Sequence, residues 1–440
     1  MKKFSSALAL AAVISVPAVA QAADVNFGAE FEVNGYSVDM DQGTNTDTFA
    51  GFQQRTLLTA DMKGDGGVSF HTGVLLSGDT WSGDNHVTSS GNNAAGQLDA
   101  AGRTSVTDQG DGSDVVTMDY GYVQIPMLAG VVRAGRMKAS WADCFLACDD
   151  RRDRIQYLTK LGNTTVFGLF DKRVEGMTNY SKDDGDMWLA GFVGNYAGWT
   201  AGSVFFYFAG NDNTSGGGAG TGYALTDVYA VSPYVKGKAG PVDIEAAVNY
   251  FNGGSNSTNS PMTNGAFFQS AGTSEFVRVG WGTGPIMVEG QVIAVQDGGL
   301  VDAGFDSFSS LIANSPSRDV SPTSVVGIGS AGLNDITDKL SQQFYAVRVT
   351  GNITDKWALV GAVGGFNYKN DSANVKAADI KGSGAFYDAQ VHYMVTKNTT
   401  ISATYGALTG DDIQAGMTSA AASNDNADPS AVSLNLNTKF

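Results

Sequence analysis

From Val25 to Phe440 the chain alternates apolar and polar positions with a period of two. That is the spacing of a strand with one face in an apolar medium. Val25-Asn26-Phe27-Gly28-Ala29-Glu30-Phe31-Glu32-Val33 opens the pattern. Near its end Tyr387, Ala389, Val391, Tyr393 and Val395 share one face, and Asp388, Gln390, His392 and Met394 share the other. The alternating runs reach about 9–14 residues, against about 5–6 for a soluble strand and about 9–11 for a tilted membrane-crossing one. No helical period lasts beyond a turn or two.

Strands are predicted near 25–38, 51–63, 67–79, 114–126, 130–138, 152–160, 164–174, 186–197, 198–210, 224–237, 240–252, 273–283, 285–296, 342–354, 356–368, 382–396, 398–410 and 431–440. The set makes eighteen, or sixteen if two marginal runs are not strands. Connections after even-numbered strands are tight: Gly64-Asp65-Gly66, Met127 to Ala129, Leu161-Gly162-Asn163, Ala197-Gly198, Gly237 to Ala239, Gly284, Asp355 and Lys397. Those after odd-numbered strands include the long polar segments 80–113, 211–223, 253–272, 297–341 and 411–430. Strict sorting of short and long connections is the habit of bacterial transmembrane barrels. The predicted fold class is therefore all-β: a transmembrane antiparallel up-and-down β-barrel.

Composition narrows the reading. The chain has 440 residues, 57 glycines, 9 prolines and only 16% charged residues, so neither collagen nor disorder fits. Its net charge of −17 opposes a nucleic-acid partner. Three histidines and two cysteines leave little material for a metalloenzyme or a thiol enzyme.

The N-terminus supplies an address. Lys2 and Lys3 precede an apolar run from Ala7 to Ala20, and Ala20-Gln21-Ala22 fits an A-x-A cleavage site. Residues 1–22 are the predicted secretory signal peptide, and 23–440 a single barrel domain. The apolar run is too short to span a bilayer, which needs about 20 residues.

An open sheet edge is not tolerated in lipid, because each unpaired backbone group costs several kcal/mol. The last strand must therefore meet the first. That last strand carries Val432, Leu434, Leu436 and Phe440 at two-residue spacing, with Thr438 the one polar interruption, and the chain ends on Phe440. In this ending, and in its strand pattern throughout, the chain resembles the Gram-negative outer-membrane porins. The resemblance implies an outer-membrane location with lipid and lipopolysaccharide around the barrel. It also implies a homotrimer, recognition of the Phe440 end by the barrel-assembly machinery, passive solute diffusion, and no cofactor. Eighteen strands resemble the substrate-specific members and sixteen the general ones.

A barrel of 16–18 strands leaves an aqueous channel, so its inward residues are expected to be polar. Alternation places Arg55, Arg133, Arg154, Arg278 and Arg348 inward, with Asp119, Asp243, Glu245, Glu289 and Asp388. Arg136 joins the expected channel lining. In porins the connection after strand five folds into the bore. By that resemblance 139–152 is the constriction loop, bringing Asp149, Asp150, Arg151 and Arg152 to the passage. Mixed charge in a narrow polar passage makes a strong transverse field; a salt-bridged anchor at the rim is the plainer alternative. Cys144 and Cys148 are the only cysteines. On one helical turn, residues four apart lie about 5–6 Å apart, so in an exported protein a disulfide is expected. No C-x-x-C-H and no nearby histidine favours haem or metal.

Trp188, Trp199, Tyr234, Trp281, Trp357 and Tyr405 fall near predicted strand ends and fit an aromatic girdle. Asp108 to Asp114 loosely follows a calcium loop without its terminal Glu in register. His71, His86 and His392 are scattered, and no Ser-His-acid site is visible from their spacing, so no enzyme is expected. Three functions remain open: a passive diffusion channel with weak anion preference, a channel selective for a sugar or carboxylate, and a non-transporting sheath or adhesin displaying 80–113 and 297–341.

Overall fold

The computed structural model describes residues 24–39, 48–80, 116–174, 185–210, 225–252, 255–256, 271–302, 304–312, 323, 326–328, 340–370, 381–411 and 428–440. The expected signal peptide, the acidic segment Asp108 to Asp114 and His86 lie outside them. Eighteen long strands form the wall among the described residues. They are β1 (Asp24–Asp39), β2 (Thr48–Lys63), β3 (Ser69–Thr80), β4 (Thr117–Met127), β5 (Gly130–Trp141), β6 (Ala147–Leu161), β7 (Thr164–Val174), β8 (Gly185–Tyr196) and β9 (Trp199–Gly210). The second half is β10 (Leu225–Ala239), β11 (Val242–Phe251), β12 (Gly272–Thr283), β13 (Ile286–Gln296), β14 (Leu340–Asn352), β15 (Trp357–Asn370), β16 (Lys381–Thr396), β17 (Thr399–Asp411) and β18 (Ser430–Lys439). A two-residue piece, Ser255–Asn256, pairs with the start of β10.

Each strand pairs antiparallel with its sequence neighbour, and β18 pairs with β1 from Glu30↔Lys439 to Asp39↔Ser430. The barrel is thus closed and has no edge strand. Phe440 finishes the seam: its N–H donates to the Ala29 carbonyl at 2.8 Å, and the Ala29 N–H donates to the Phe440 carbonyl at 3.2 Å. The connections after even-numbered strands are tight. At Ala197-Gly198 both residues are left-handed, with φ of 51° and 89°, which matches the right-handed twist of the flanking strands.

The outer face is apolar. Ile125, Ile155, Val277, Val292, Val347, Val363, Val432 and Leu434 are all exposed there, as expected for a wall facing hydrocarbon. Trp188 and Tyr405 belong to this face toward the end with long connections, and Trp281 and Trp357 toward the end with short turns. Tyr234 corrects the girdle expectation. It points inward, edge-on to Trp141 with ring centroids 5.0 Å apart.

The inner face differs from expectation in its upper half, toward the long connections. Phe206, Phe208, Phe251, Phe276, Ile293, Val295, Phe344, Phe366, Phe386 and Leu408 are buried there. They form two apolar seats, one along β7–β11 and one from β11 round to β18 and β1. A polar lining is required only where water stays. Here two inward segments cover the wall, and a covered wall gains by being apolar. Polar and charged inward positions occupy the middle and lower wall.

Candidate constriction

The connection after β5 is shorter than the 139–152 expected: β5 runs to Trp141 and β6 begins at Ala147, leaving Ala142–Leu146 as the loop. It is not helical. Ala142, Asp143 and Cys144 have φ of 53°, 47° and 73°, a left-handed turn of three consecutive non-glycine residues. The Cys144–Cys148 disulfide ties this turn to the start of β6. Its tip reaches the wall of β10–β12. Lys236 Nζ of β10 donates to both carboxylate oxygens of Asp143, at 2.7 and 2.9 Å. Phe145 is fully buried against Phe276 of β12. Asn249 of β11 donates to the Phe145 carbonyl at 3.2 Å. Burial raises the Asp143 pKa, but hydrogen bonds with Glu245 and Lys236 and the nearby positive charges outweigh it, and the carboxyl ends below the ordinary aspartate value.

A second segment, 297–312 after β13, enters the bore beside the first. An outer loop is expected here, but its described residues Val301, Phe305, Phe308, Leu311 and Ile312 are buried. The two segments meet. Phe145 and Phe305 rings lie 5.0 Å apart, and the Asp302 N–H donates to the Phe145 carbonyl at 3.1 Å. Gly304 lies so close to the disulfide that a Cβ there would come within 2.7 Å of Cys148. Further on, the Ser310 N–H donates to Asp388 of β16 at 2.8 Å.

Several residues expected to line the channel hold this second segment. Arg348 donates to Glu289 at 2.8 Å and to Asp306 at 2.6 Å, and its guanidinium carbon lies 3.8 Å from the centre of the Phe308 ring. Arg278 donates to the Asp306 carbonyl at 2.9 Å and to Glu245 at 3.4 Å. Register aligns these charges. Lys236, Glu245, Arg278 and Gln291 are successive partners across β10–β13, as are Asp243, Gly280, Glu289 and Arg348 across β11–β14.

The opposite wall carries a second set. Arg55 lies 3.6 Å from Glu30 and 3.7 Å from Asp119. Asp119 also takes Arg151 at 2.7 Å and Lys138 at 3.3 Å, and Asp149 lies 3.7 Å from both of those cations. Arg152 pairs with Asp150. Arg154 forms a buried two-pronged pair with Asp171, at 2.8 and 2.7 Å. Arg133 differs from the rest: its partners are neutral, Gln124 at 2.8 Å and the Tyr122 ring at 5.9 Å. Arg136 pairs in register with Asp153, and their charged groups lie 3.5 Å apart.

No family model matches this chain, and no curated protein does. Solved structures do. A BenF-like porin from Pseudomonas fluorescens Pf-5 aligns over 95% of this chain and 99% of its own, with TM-score 0.58 and 11% identity. The chain has a porin fold. Acinetobacter baumannii OccAB3 aligns over 94% of this chain and 100% of its own, with TM-score 0.57 and 11% identity. Pseudomonas aeruginosa OccK3 (OpdO) aligns over 94% and 96%, with TM-score 0.56 and 10% identity. The loop after β5 is the inward segment expected from the porin resemblance; the second inward segment, 297–312, was not expected. Its signal was a cluster of apolar residues, Val301, Phe305, Phe308, Leu311 and Ile312, in a connection that an outer loop would keep polar.

Proposed function

We propose that this protein is an outer-membrane porin, a channel through which small hydrophilic solutes and ions diffuse passively. The observation that carries this reading is the loop after β5, folded across an eighteen-strand bore and anchored to the far wall through Asp143, Phe145 and Asn249. A closed wall with an apolar exterior belongs in lipid, and a loop that enters the bore sets what passes. The test is conductance of the purified protein in a planar bilayer, with a panel of neutral and charged solutes. Discrete channel openings support the reading; a preparation of folded barrels without conductance refutes it.

The second inward segment favours a selective channel over a general one, because the bore is narrowed from two sides. Saturable block by one solute class, a sugar or a carboxylate, distinguishes the two. Weak anion preference follows from Arg133, the wall cation whose partners are neutral, whereas Arg55, Arg154, Arg278 and Arg348 face carboxylates. A trimer, contact with lipopolysaccharide and delivery by the barrel-assembly machinery through Phe440 are part of the proposal on the strength of the porin resemblance. Cross-linking in the native membrane tests the trimer. The sheath or adhesin reading is weakened by the burial of 304–312, which it required outside.

A further inference from the structure

The lower inner wall of β2–β5 holds three residues the channel does not use. His71 is central. Its Nδ1 lies 2.5 Å from Asp61 Oδ1, and its Nε2 lies 2.9 Å from Ser69 Oγ. Strand geometry produces this arrangement. Ser69 and His71 are two apart on β3 and so share a face. Asp61 of β2 is the direct cross-strand partner of His71, and such partners have Cβ atoms about 4.5–5.5 Å apart. The pair Asn26↔Asp61 lies two steps from Gly28↔Thr59 and four from Glu30↔Leu57, on the inward face shared with Glu30 and Glu32. The His71 ring is stacked on Tyr122, centroids 4.9 Å apart.

The chemistry follows from the hydrogen bonds. In the neutral ring a carboxylate at Nδ1 favours the tautomer with the proton on that nitrogen, and Nε2 then serves as an acceptor for the serine hydroxyl. Gln124 is the direct partner of Ser69 across β3–β4, and Arg133 is the partner of Gln124 across β4–β5. Arg133 occupies the Gln124 carbonyl, which leaves the amide N–H groups as donors for an oxyanion and the guanidinium for an anionic substituent. Ser69 is 7% exposed, while the side chains of His71 and Asp61 are 24% and 50% exposed. The exposed part of the group is its histidine and aspartate side, from which a small acyl ester would have to approach.

We propose that Ser69, His71 and Asp61 form a hydrolytic site for small acyl esters passing through the lower bore. Ser69 Oγ attacks the ester carbonyl carbon while its proton passes to His71 Nε2. The tetrahedral intermediate collapses, the bond to the leaving oxygen breaks, and that oxygen takes the proton from His71. Water then attacks the acyl-serine carbonyl and gives a proton to His71. The acyl–Oγ bond breaks, Ser69 recovers that proton, and one alcohol and one carboxylic acid have been released. Asp61 touches no reacting atom and is a positioning residue.

The experiment uses the full barrel in detergent micelles with p-nitrophenyl acetate. The expected result is saturable hydrolysis with an initial burst near one p-nitrophenolate per chain. A small fluorophosphonate should leave one adduct on Ser69, located by peptide mass spectrometry. Ser69→Ala should lower the rate about 100-fold or more, in protein shown to be folded by heat-modifiable migration. His71 remains in that variant, so histidine acting alone at a surface would not lose activity. Asp61→Asn should lower the maximal rate more than it raises KM, since it disturbs tautomer and orientation. A Ser69→Ala variant as active as the parent overturns the proposal. So does an adduct elsewhere, or a parent rate no greater than that of free imidazole. The adduct is read on unmutated protein and needs no variant to fold. Conductance of the same preparation is scored separately, so a silent channel and an inert serine are distinguishable failures.

Discussion

Removing the Cys144–Cys148 bridge should loosen the constriction without unfolding the wall. The turn it closes has three successive non-glycine residues in the left-handed region. That conformation costs about 1–2 kcal/mol per residue, or about 3–6 kcal/mol for the turn. Burial of the Phe145 side chain returns about 1.5–3 kcal/mol. The half-exposed Lys236–Asp143 pair adds about 0.2–1 kcal/mol, and a disulfide across so short a loop about 2 kcal/mol. Cost and gain are close, so a loss of about 2 kcal/mol lowers the ratio of docked to undocked loop about thirtyfold. The assay is single-channel recording of the double variant Cys144→Ser/Cys148→Ser, or of the parent under a membrane-permeant reductant. The expected result is a larger mean conductance with rapid open-state fluctuation, at unchanged thermal stability of the barrel. If conductance and noise match the oxidised parent, the turn is held by its neighbours alone and the reasoning is wrong.

Other expectations rest on separate observations. Arg154→Ala removes two charge-assisted hydrogen bonds to the buried Asp171, each worth about 1.5–3 kcal/mol, measurable as a lower denaturation midpoint in detergent; Arg154→Lys cannot restore the two-pronged contact. Arg133→Glu should move the reversal potential under a salt gradient toward cation preference; an unchanged reversal potential would remove Arg133 from the basis of the selectivity. The lowered Asp143 pKa means that its contribution to loop docking is present above the ordinary aspartate range and is lost as pH falls through the lower folded-state value. Conductance noise should therefore rise only in strong acid, and Asp143→Asn should show that noise at neutral pH. Deleting Phe440 removes two backbone hydrogen bonds at the seam and should reduce the yield of heat-modifiable barrel.

The wall was legible in the sequence because lipid imposes a period of two and the tight turns carry glycine. Both signals are local. Bulges were not legible: β3 slips by one residue where Thr56/Leu57 face Ser77/Leu75, and β4 slips at Gly73/Val74. Neither leaves a mark in the alternation of one strand. Tyr234 was assigned to the girdle from its position near a strand end, but its parity with Ser232 and Lys236 turns it inward. The docking of 297–312 depends on contacts between residues from 28 to more than 150 positions apart, such as Arg278 with Asp306 and Phe145 with Phe305, and no local window on the sequence sees them. The Ser69–His71–Asp61 group was within reach, because folding the hairpin about Gly66 brings residues 61 and 71 opposite each other.

The meeting of Phe145, Phe305 and the Gly304–Cys148 contact carries a consequence for the order of events during maturation. The segment after β5 has nothing to rest on until β10–β12 are in place, and the one after β13 needs β14 and β16 as well. Both must therefore settle after the strands that seat them have been assembled. A newly inserted barrel passes through a stage as a broad, unfurnished hoop, and its permeability should shrink with time as the two arms swing inward and interlock.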